Sequence, residues 1–275
     1  MISAQVRFDK TIHSKENSVY TELLQCQKTK GIKKFGFFMV CGFRAVLDCL
    51  SAHPHLAHNL IFPDDFGLSD EKQSTTILLK ATPLKSQGLS FIALARPLFK
   101  ELDLFGTNAP LLVLHVPEIP SYELANLSGG LEILCALGDP ANVGALLRSA
   151  AAFGASRVIL LKESASPFHP KAVRAASAAT LTTPLFEGPS IQELKRIAEE
   201  SEISALDMGG APIHRLHWSR DVKILIGEEG QGVPRGDFRR ISIPISSGVE
   251  SLNATVAASI ALYSYRSYFD LNAET

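Results

Sequence analysis

The sequence lacks the features that mark secreted, zinc-binding and membrane-spanning chains. Its 275 residues include four cysteines, which form no CxxC pair and have no ligand-like spacing to histidine. Neither a disulfide framework nor a metal site is therefore indicated. No apolar run approaches the length of a membrane span, and residues 1–10 contain no apolar core of signal-peptide length. These features predict a cytoplasmic protein with no membrane partner.

The sequence also has no excess of positive charge, because its formal net charge is −1. This balance argues against a protein that binds nucleic acid through bulk electrostatics alone, so any RNA contact must be local. Residues 10–34 form the most basic stretch, with lysines at six positions and glutamates at two. A solvated helix face explains such a charge run about equally well.

What is present is ample apolar material, at 46% of residues, arranged as apolar runs that alternate with helical patterns. In the second half this alternation predicts strands joined by crossover helices, and hence a mostly parallel sheet. The predicted strands are residues 131–137, 157–161, 203–206, 223–226 and 241–245. The predicted helices are residues 143–153, 171–179, 190–202 and 252–269. Ser190 and Glu193 have the spacing of a capping box.

The first half is less regular but predicts an α/β module of its own. Residues 35–40 and 76–79 are predicted as strands, and residues 19–30 and 43–51 as helices. A Pro-, Ser- and Gly-containing stretch at residues 117–130 has the composition of a linker. The chain is therefore predicted to have two domains.

Three clusters in the second half have loop compositions that a packed core does not require. Asn142 lies at a helix start, where an N-cap is the simplest explanation. Arg148 interrupts an apolar helix in which a charge would need a partner. Residues 226–234 place glycines and paired glutamates directly after a strand, although a surface turn has the same composition. Ser251 and Asn253 lead into the last helix and could be capping residues.

Taken in this order and with these intervals, the three clusters closely resemble motifs one, two and three of the SpoU (TrmH-like) family of RNA 2′-O-ribose methyltransferases, within the SPOUT class. The matching positions are Asn142-x-Gly144-x-x-x-Arg148, Gly227-x-Glu229-Gly230-x-Gly232, and Ile243-Pro244 followed by Ser251-Leu252-Asn253. The resemblance covers residues 131–265 and extends more weakly to residues 12–17 and 37–46, which look like the family's RNA-recognition domain.

The resemblance implies an α/β fold for both halves. Residues 131–275 would form a SPOUT domain with a parallel sheet and a deep trefoil knot, an exception to the usual absence of knots. Residues 1–118 would form a smaller RNA-recognition domain similar to a ribosomal protein, followed by a linker at residues 119–130. The family is typically a homodimer whose two active sites combine residues of both subunits.

The resemblance also implies the reaction, which is methyl transfer from S-adenosylmethionine to a ribose 2′-hydroxyl of a structured RNA, with ribosomal RNA favoured as the substrate. The residues implied as catalytic are Asn142, Arg148, Glu229, Ser251 and Asn253. Those implied to bind S-adenosylmethionine are Gly227, Gly230, Ile243 and Leu252. A guanidinium is ordinarily too basic to remove a proton, so we expect Arg148 to position the RNA phosphate, and the general base stays open.

The candidate RNA contacts in the first half are Lys15, Lys33, Lys34 and Arg44. Two positions depart from the family pattern, because Ser247 stands where glycine is common and Cys41 replaces an acidic residue. The stretch from Gly227 to Ile243 is also short for the family.

Four other functions fit parts of the sequence. A catalytically silent RNA-binding protein could keep the same fold, and a related enzyme could act on transfer RNA or on a base instead of the ribose. A metal enzyme is the weakest alternative, because the histidines of residues 53–58 have no acidic or cysteine partner nearby, and a solvated loop is the default there. Aromatic residues at 8, 35, 37 and 38 could stack on bases, although core packing is the simpler explanation.

Overall fold

The computed structural model describes residues 6–66, 71–123, 129–197, 203–227, 233 and 238–273. The chain divides into two compact units. The first comprises residues 1–117 together with Phe168–Arg174, and the second comprises Glu118–Pro167 and Ala175–Thr275. None of the described helices combines the length and the apolar character needed to cross a membrane.

The first unit is built on a five-stranded mixed sheet with the strand order β1-β4-β3-β5-β2. Its strands are β1 (Lys10–Ile12), β2 (Phe37–Val40), β3 (Ala57–Pro63), β4 (Ser90–Leu94) and β5 (Leu111–His115). Strands β1, β4 and β3 are parallel, whereas β5 runs antiparallel to both β3 and β2. Its helices are α1 (Ser18–Gln25), α2 (Thr29–Phe35), α3 (Phe43–Ala52), α4 (Glu71–Ala81) and α5 (Arg96–Leu102).

Two sequence predictions for this unit were wrong. Residues 76–79 lie in helix α4 and form no strand, because Ile77 and Ala81, four positions apart, are both buried while Leu79 is 73% exposed. The helix predicted at residues 19–30 is two helices. A Cβ at Gly31 would lie 2.0 Å from the carbonyl oxygen of Gln25, so the second helix starts against the end of the first at a position where only glycine fits.

The second unit is built on a six-stranded, fully parallel sheet with the strand order β11-β9-β10-β6-β7-β8. Its strands are β6 (Leu131–Cys135), β7 (Arg157–Leu160), β8 (Leu185–Glu187), β9 (Ile203–Pro212), β10 (Val222–Ile226) and β11 (Arg239–Ser242). The helices that follow β6 in the chain are α6 (Pro140–Phe153), α7 (Pro170–Ala176), α8 (Ala179–Thr182), α9 (Ile191–Ile197) and α10 (Ala254–Ala273), of which α7 lies mostly in the segment that belongs to the first unit. The α/β fold with a parallel sheet predicted for this half is confirmed.

Small corrections apply at element ends in this unit. The helix predicted at residues 171–179 is interrupted at Ser177, which has φ of 55°, and continues as α8. The last strand spans Arg239–Ser242 and does not continue to residue 245. Ser121 forms a parallel bridge to Glu187, so part of the predicted linker at residues 119–130 is attached to this sheet.

Helices α6 and α10 pack against the same face of this sheet. Ala258, Ala261 and Leu262 of α10 share a core cluster with Leu146 and Leu147 of α6. The Oγ atoms of Ser149 and Ser259 are 2.7 Å apart. Alanines at the contact allow the close packing that the sequence predicted, and this packing fixes the starts of the two helices relative to each other.

Candidate active site

The three sequence motifs begin at the same edge of the parallel sheet. Cys135 and Ile226, the last residues of β6 and β10, are register partners, and the chain continues from them into the first and second motifs. Strand β11 ends at Ser242, and the third motif follows at Ile243. Ligands of open parallel sheets bind outside the carboxyl ends of the strands. This edge is therefore the candidate site.

The first motif enters α6 through a cap that the sequence analysis assigned to the wrong residue. Asp139, and not Asn142, is the N-cap, because its Oδ1 accepts hydrogen bonds from the backbone N–H groups of Ala141 (2.8 Å) and Asn142 (3.1 Å). Pro140 follows at the first helical position, the residue order that favours a helix start. The half-buried side chain of Asn142 is therefore released from capping.

The third motif reaches the first through Asn253. The Oδ1 atom of Asn253 accepts hydrogen bonds from the N–H groups of Thr255 (3.0 Å) and Val256 (3.2 Å), so Asn253 is the capping residue that the sequence allowed. Its Nδ2 atom lies 3.5 Å from Oδ1 of Asn142. The hydroxyl of Thr255 donates to the backbone oxygen of Asn142 at 3.3 Å. Residues 111 positions apart in the chain thus meet at one point.

Thr255 and Asp139 are the site residues that sequence reasoning did not single out. Thr255 is 7% exposed and holds the first turn of α6 through its bond to Asn142. The Asp-Pro pair at residues 139 and 140 was a recognisable cap signal. The contact of Thr255 depends on helix packing, which has no local signal in the sequence.

Arg148 is solvent-exposed, so the expectation that its charge needs a partner was wrong. Leu146 and Leu147 turn into the core, while Arg148 lies on the outer face of α6. Six residues from Asn142 on a helix, its side chain projects from a different face, away from the pair of asparagines. Within the described residues, it makes no hydrogen bond or ion pair.

The remaining site residues are partly described. Gly227 is half-buried directly after β10, whereas Glu229 and Gly230 lie outside the described residues. Ile243 and Leu252 are half-buried, and Ser251 is exposed. The loop from Ile243 to Leu252 turns at Gly248, with φ of 98°, and the N–H of Val249 donates to the oxygen of Ser246 at 3.3 Å.

The described part of this edge can orient polar groups, and two of its ionisable side chains are poorly suited to removing a proton. The thiol of Cys135 lies at the end of β6, and complete burial raises its pKa, which keeps it neutral. Asp139 is committed to the helix cap. The amides of Asn142 and Asn253 can donate and accept hydrogen bonds without changing charge.

The four candidate RNA contacts of the first unit fall into two pairs. Lys15 forms an ion pair with Glu101 at 2.7 Å, and Arg44 forms one with Asp48 at 3.0 Å, so both charges are partly neutralised. Lys33 and Lys34 are exposed in the last turn of α2, and no carboxylate within the described chain pairs with them. The second pair is the better placed to meet a phosphate.

The histidine cluster is not the solvated loop that the sequence suggested. Pro54–Leu56 forms a 3-10 turn, and His58 is half-buried inside β3. Among the described residues there is no group of three or more histidine, cysteine or acidic side chains that could hold a metal ion. Of the aromatic residues, Phe38 is fully buried, as core packing requires, whereas Phe37 stacks on His58 with ring centroids 4.4 Å apart.

The fold and the three motifs can be compared with those of known families. Residues 132–263 match the SpoU rRNA Methylase family. The solved structure of the SpoU methyltransferase AviRb from Streptomyces viridochromogenes, in complex with AdoMet, has a similar fold. Its TM-score is 0.75 at 22% identity, over 92% of this chain and 98% of that one.

Two known proteins are similar to this chain in sequence. The chain is 38% identical over 260 residues to "Ribosomal RNA small subunit methyltransferase G 2" of Syntrophobacter fumaroxidans, covering 92% of this chain and 48% of that protein. It is 33% identical over 140 residues to the 23S rRNA (guanosine-2'-O-)-methyltransferase RlmB of Escherichia coli K12, covering 48% of this chain and 58% of RlmB. The chain thus spans about half the length of these relatives.

Proposed function

We propose that this protein transfers a methyl group from S-adenosylmethionine to a ribose 2′-hydroxyl of ribosomal RNA in the cytoplasm. The observation that carries the proposal is the contact of Asn142 with Asn253 at the carboxyl edge of the parallel sheet, where two motifs of the family converge. The match of residues 132–263 to the SpoU rRNA Methylase family supports the reaction class. RlmB, whose name specifies guanosine 2′-O-methylation in 23S rRNA, supports the ribose as acceptor.

The residues at this edge fit an adenine-containing methyl donor. The described residues provide only one backbone hydrogen bond within the loop from Ile243 to Leu252, between Ser246 and Val249, so other peptide groups of the loop are available to a ligand. The half-buried side chains of Ile243 and Leu252 offer apolar contact. Gly227 leaves the end of β10 open to close approach. Gly230, which follows it in the second motif, completes the proposed donor site.

Each catalytic residue then has a separate task. S-adenosylmethionine supplies an electrophilic methyl group when it is bound. Asn142 and Asn253 orient polar groups at the reacting centre, and Ser251 and Glu229 complete the pocket. Arg148 holds an RNA phosphate through two parallel hydrogen bonds, a geometry that a guanidinium favours. Alignment of the hydroxyl with the donor accounts for a large part of the expected rate.

We also propose that the protein acts as a homodimer through α10. Val256, Ile260 and Tyr263 are 49%, 37% and 60% exposed, and their spacing places them on one face of the helix. An exposed apolar stripe of this kind favours association with a second copy. Arg148, which points away from the asparagines of its own chain, would then serve the site of the partner. The trefoil knot that the family resemblance implies is part of the same proposal.

Residues 1–118 are proposed to recognise the RNA, with Lys33 and Lys34 as the phosphate contacts. Lys15 and Arg44 contribute less, because their carboxylate partners must be displaced first. Two other candidate functions follow from the same fold. A silent RNA-binding protein would bind RNA without the methyl donor, and an enzyme for transfer RNA would differ in substrate alone.

Calorimetric titration of S-adenosylmethionine into the purified protein tests the proposal. Asn253→Ala removes both the helix cap and the N–H group that donates a hydrogen bond to Asn142. We expect this variant to lose its binding of S-adenosylmethionine. Asn253→Asp is the matched control for the cap, because it keeps the acceptor oxygen and removes only the donor. If both variants bind S-adenosylmethionine weakly, the amide of Asn253 has a role at the site beyond capping the helix. A folded parent that does not bind S-adenosylmethionine would favour the silent RNA-binding protein.

A further inference from the structure

The first unit contains a cavity that the methyl-transfer site does not use. It has a volume of about 290 Å³ and opens on one side of the sheet between α1 and the starts of the strands. Its lining residues are Asp9, Lys10, Val19, Glu22, Leu23, Phe37, His58, Asn59, Ser90 and Ile92. This volume lies at the small end of the range for ligand pockets, roughly 300–1,000 Å³, and has room for one heterocycle.

The strand geometry shows that the polar lining is built into the fold. His58 and Asn59 are neighbours in β3, and neighbours in a regular strand point to opposite faces. Both line the cavity because the register between β3 and β5 shifts between Ala57 and Asn59. Irregularities of this type redirect side chains and are frequent beside binding sites.

Asn59 carries the strongest signal for a ligand. The residue is 7% exposed and lines the cavity, and its carboxamide makes no hydrogen bond to another side chain of the described residues, so its polar atoms face the cavity. Polar groups in such a position pair with water or with a ligand. Since Asn59 lines the cavity, a ligand there would meet both its donor and its acceptor.

The other lining residues define the chemistry of that ligand. The rings of Phe37 and His58 stack with centroids 4.4 Å apart and an interplanar angle of 13°, which presents a flat aromatic surface. Asp9 is occupied by Lys85 at 2.7 Å and the N–H of Phe91 at 2.8 Å. The lining contains two carboxylates, at Asp9 and Glu22, and one lysine, Lys10. This balance of charge disfavours an anion inside the cavity. The lining favours an uncharged planar ring with amine donors on its edge.

We infer that this cavity binds one unpaired nucleobase of the RNA, with the base stacked on the outer face of the Phe37–His58 ring pair and its polar edge paired with Asn59 and Glu22. This inference rests on the proposed function, because the RNA is the source of the base. Unpaired bases in loops and bulges are recognised in this way, by stacking on aromatic rings and hydrogen bonding to their edges. The carboxylate of Glu22 favours bases with an exocyclic amine over uracil.

Lys33 and Lys34 fit the same arrangement. They precede Phe37 by four and three residues, so the chain places their Cα atoms within roughly 14 Å of its Cα atom. Both are exposed and able to meet the phosphates that flank a bound base. The base site and the basic end of α2 thus form one RNA-contacting surface of the first unit.

The test uses the full chain with unmodified transcripts of bacterial 16S and 23S rRNA. Phe37→Leu and Asn59→Ala should each weaken rRNA binding about tenfold, within the range measured for loss of base stacking. Phe66→Leu, at a half-buried aromatic residue outside the cavity, is the matched control and should bind as the parent does. Ultraviolet crosslinking should join RNA to the peptide that contains Phe37 or His58. Unchanged affinity in both cavity variants would overturn the inference.

A second probe separates this inference from the proposed function. The fluorescence of 2-aminopurine riboside should be quenched by the parent and not by Phe37→Leu, with adenosine competing and uridine failing to compete. Quenching by a parent that binds no rRNA would mean a free-nucleoside site, and the RNA assignment would be wrong. Absence of both signals would overturn the base site itself. Affinity for S-adenosylmethionine should be equal in the parent and in all cavity variants. A parent that does not bind S-adenosylmethionine would count against the methyl-transfer proposal and leave the base site standing.

Discussion

At the scale of single residues, one ion pair stands out because it is buried in the middle of the second sheet. Glu132 and Arg157 are register partners on β6 and β7, with a distance of 2.6 Å between Oε1 and an Arg157 terminal nitrogen. Their side chains are only 4% and 9% exposed. The hydroxyl of Tyr122 donates to Glu132 at 2.7 Å, and the rings of Tyr122 and Phe186 contact the guanidinium.

We predict that Arg157→Met lowers the free energy of unfolding by about 3–5 kcal/mol, since it leaves the Glu132 carboxylate buried without its main partner. The double variant Glu132→Leu/Arg157→Met should recover much of that loss, because no uncompensated charge remains. Urea denaturation followed by circular dichroism measures both. A loss in the single variant below 1 kcal/mol would show that water reaches the carboxylate.

The environment of a residue could be predicted from the sequence where it is set by residues adjacent in the chain. It could not be predicted where the contacts come from the packing of distant elements. Glu132 was recognisable as the one charge in an apolar run, but its partner depends on the register of two strands. Arg148 was expected to need a partner for its charge, although the faces of α6 place it in solvent. Asn142 and Asn253 were matched by motif resemblance, and their contact depends on how α6 and α10 pack.

At the scale of elements, β9 and β11 are held together by a close backbone approach at Gly210. A Cβ at this position would lie 2.4 Å from the carbonyl carbon of Arg240 and from the nitrogen of Ile241, whereas nothing lies within 4 Å of a Cβ at Gly209. We predict that Gly210→Ala destabilises the protein by roughly 1–3 kcal/mol or more, because backbone atoms must shift. Gly209→Ala should be close to neutral. Thermal unfolding of the two variants side by side checks this, and equal melting temperatures would contradict it.

The start of α9 predicts a dependence of stability on pH. The backbone N–H of Ser190, Lys162 and the hydroxyl of Ser190 lower the pKa of Glu193 from 4.5 to about 2. A carboxylate with a depressed pKa in the folded state stabilises the fold above its unfolded pKa, and the stabilisation is lost as pH falls through the folded value. We expect part of the acid destabilisation between pH 4.5 and 2 to disappear in Glu193→Gln. A pH series of urea titrations on parent and variant measures it, and parallel curves would contradict the assignment.

Elements were predictable where apolar runs are long and bounded by turn residues. That condition holds for β6, α6, β7, β10 and α10, and the Ser190–Glu193 capping box formed as expected. It fails in the first unit, where β1, β3, β4 and β5 were not recognised. Helix α4 was mistaken for a strand because Thr75, Thr76 and Ile77 are β-branched, and tertiary packing outweighed that local preference.

At the scale of the whole molecule, the arrangement of the two units and the assembly of copies are beyond what local patterns encode. The parallel sheet followed from alternating strands and helices, but its strand order places β9 between β10 and β11 and was not derivable from spacing. The dimer rests on the family resemblance and on the exposed stripe of α10. Because association buries that stripe, it can be tested without knowledge of the RNA.

We predict that Ile260→Glu/Tyr263→Glu converts a dimeric parent into a monomer that stays folded. Two carboxylates on the exposed face of α10 would lose hydration and repel their symmetry mates in an isologous contact. The control is Leu79→Glu, which introduces one carboxylate at a 73% exposed leucine of α4 and should leave the dimer intact. Sedimentation equilibrium gives the mass of each protein.

If Arg148 serves the partner's site, the monomer should also lose methyl transfer to rRNA, and mixing it with an Arg148→Ala variant should not restore activity. A parent that sediments as a monomer would rule out the shared site and require Arg148 to act within its own chain.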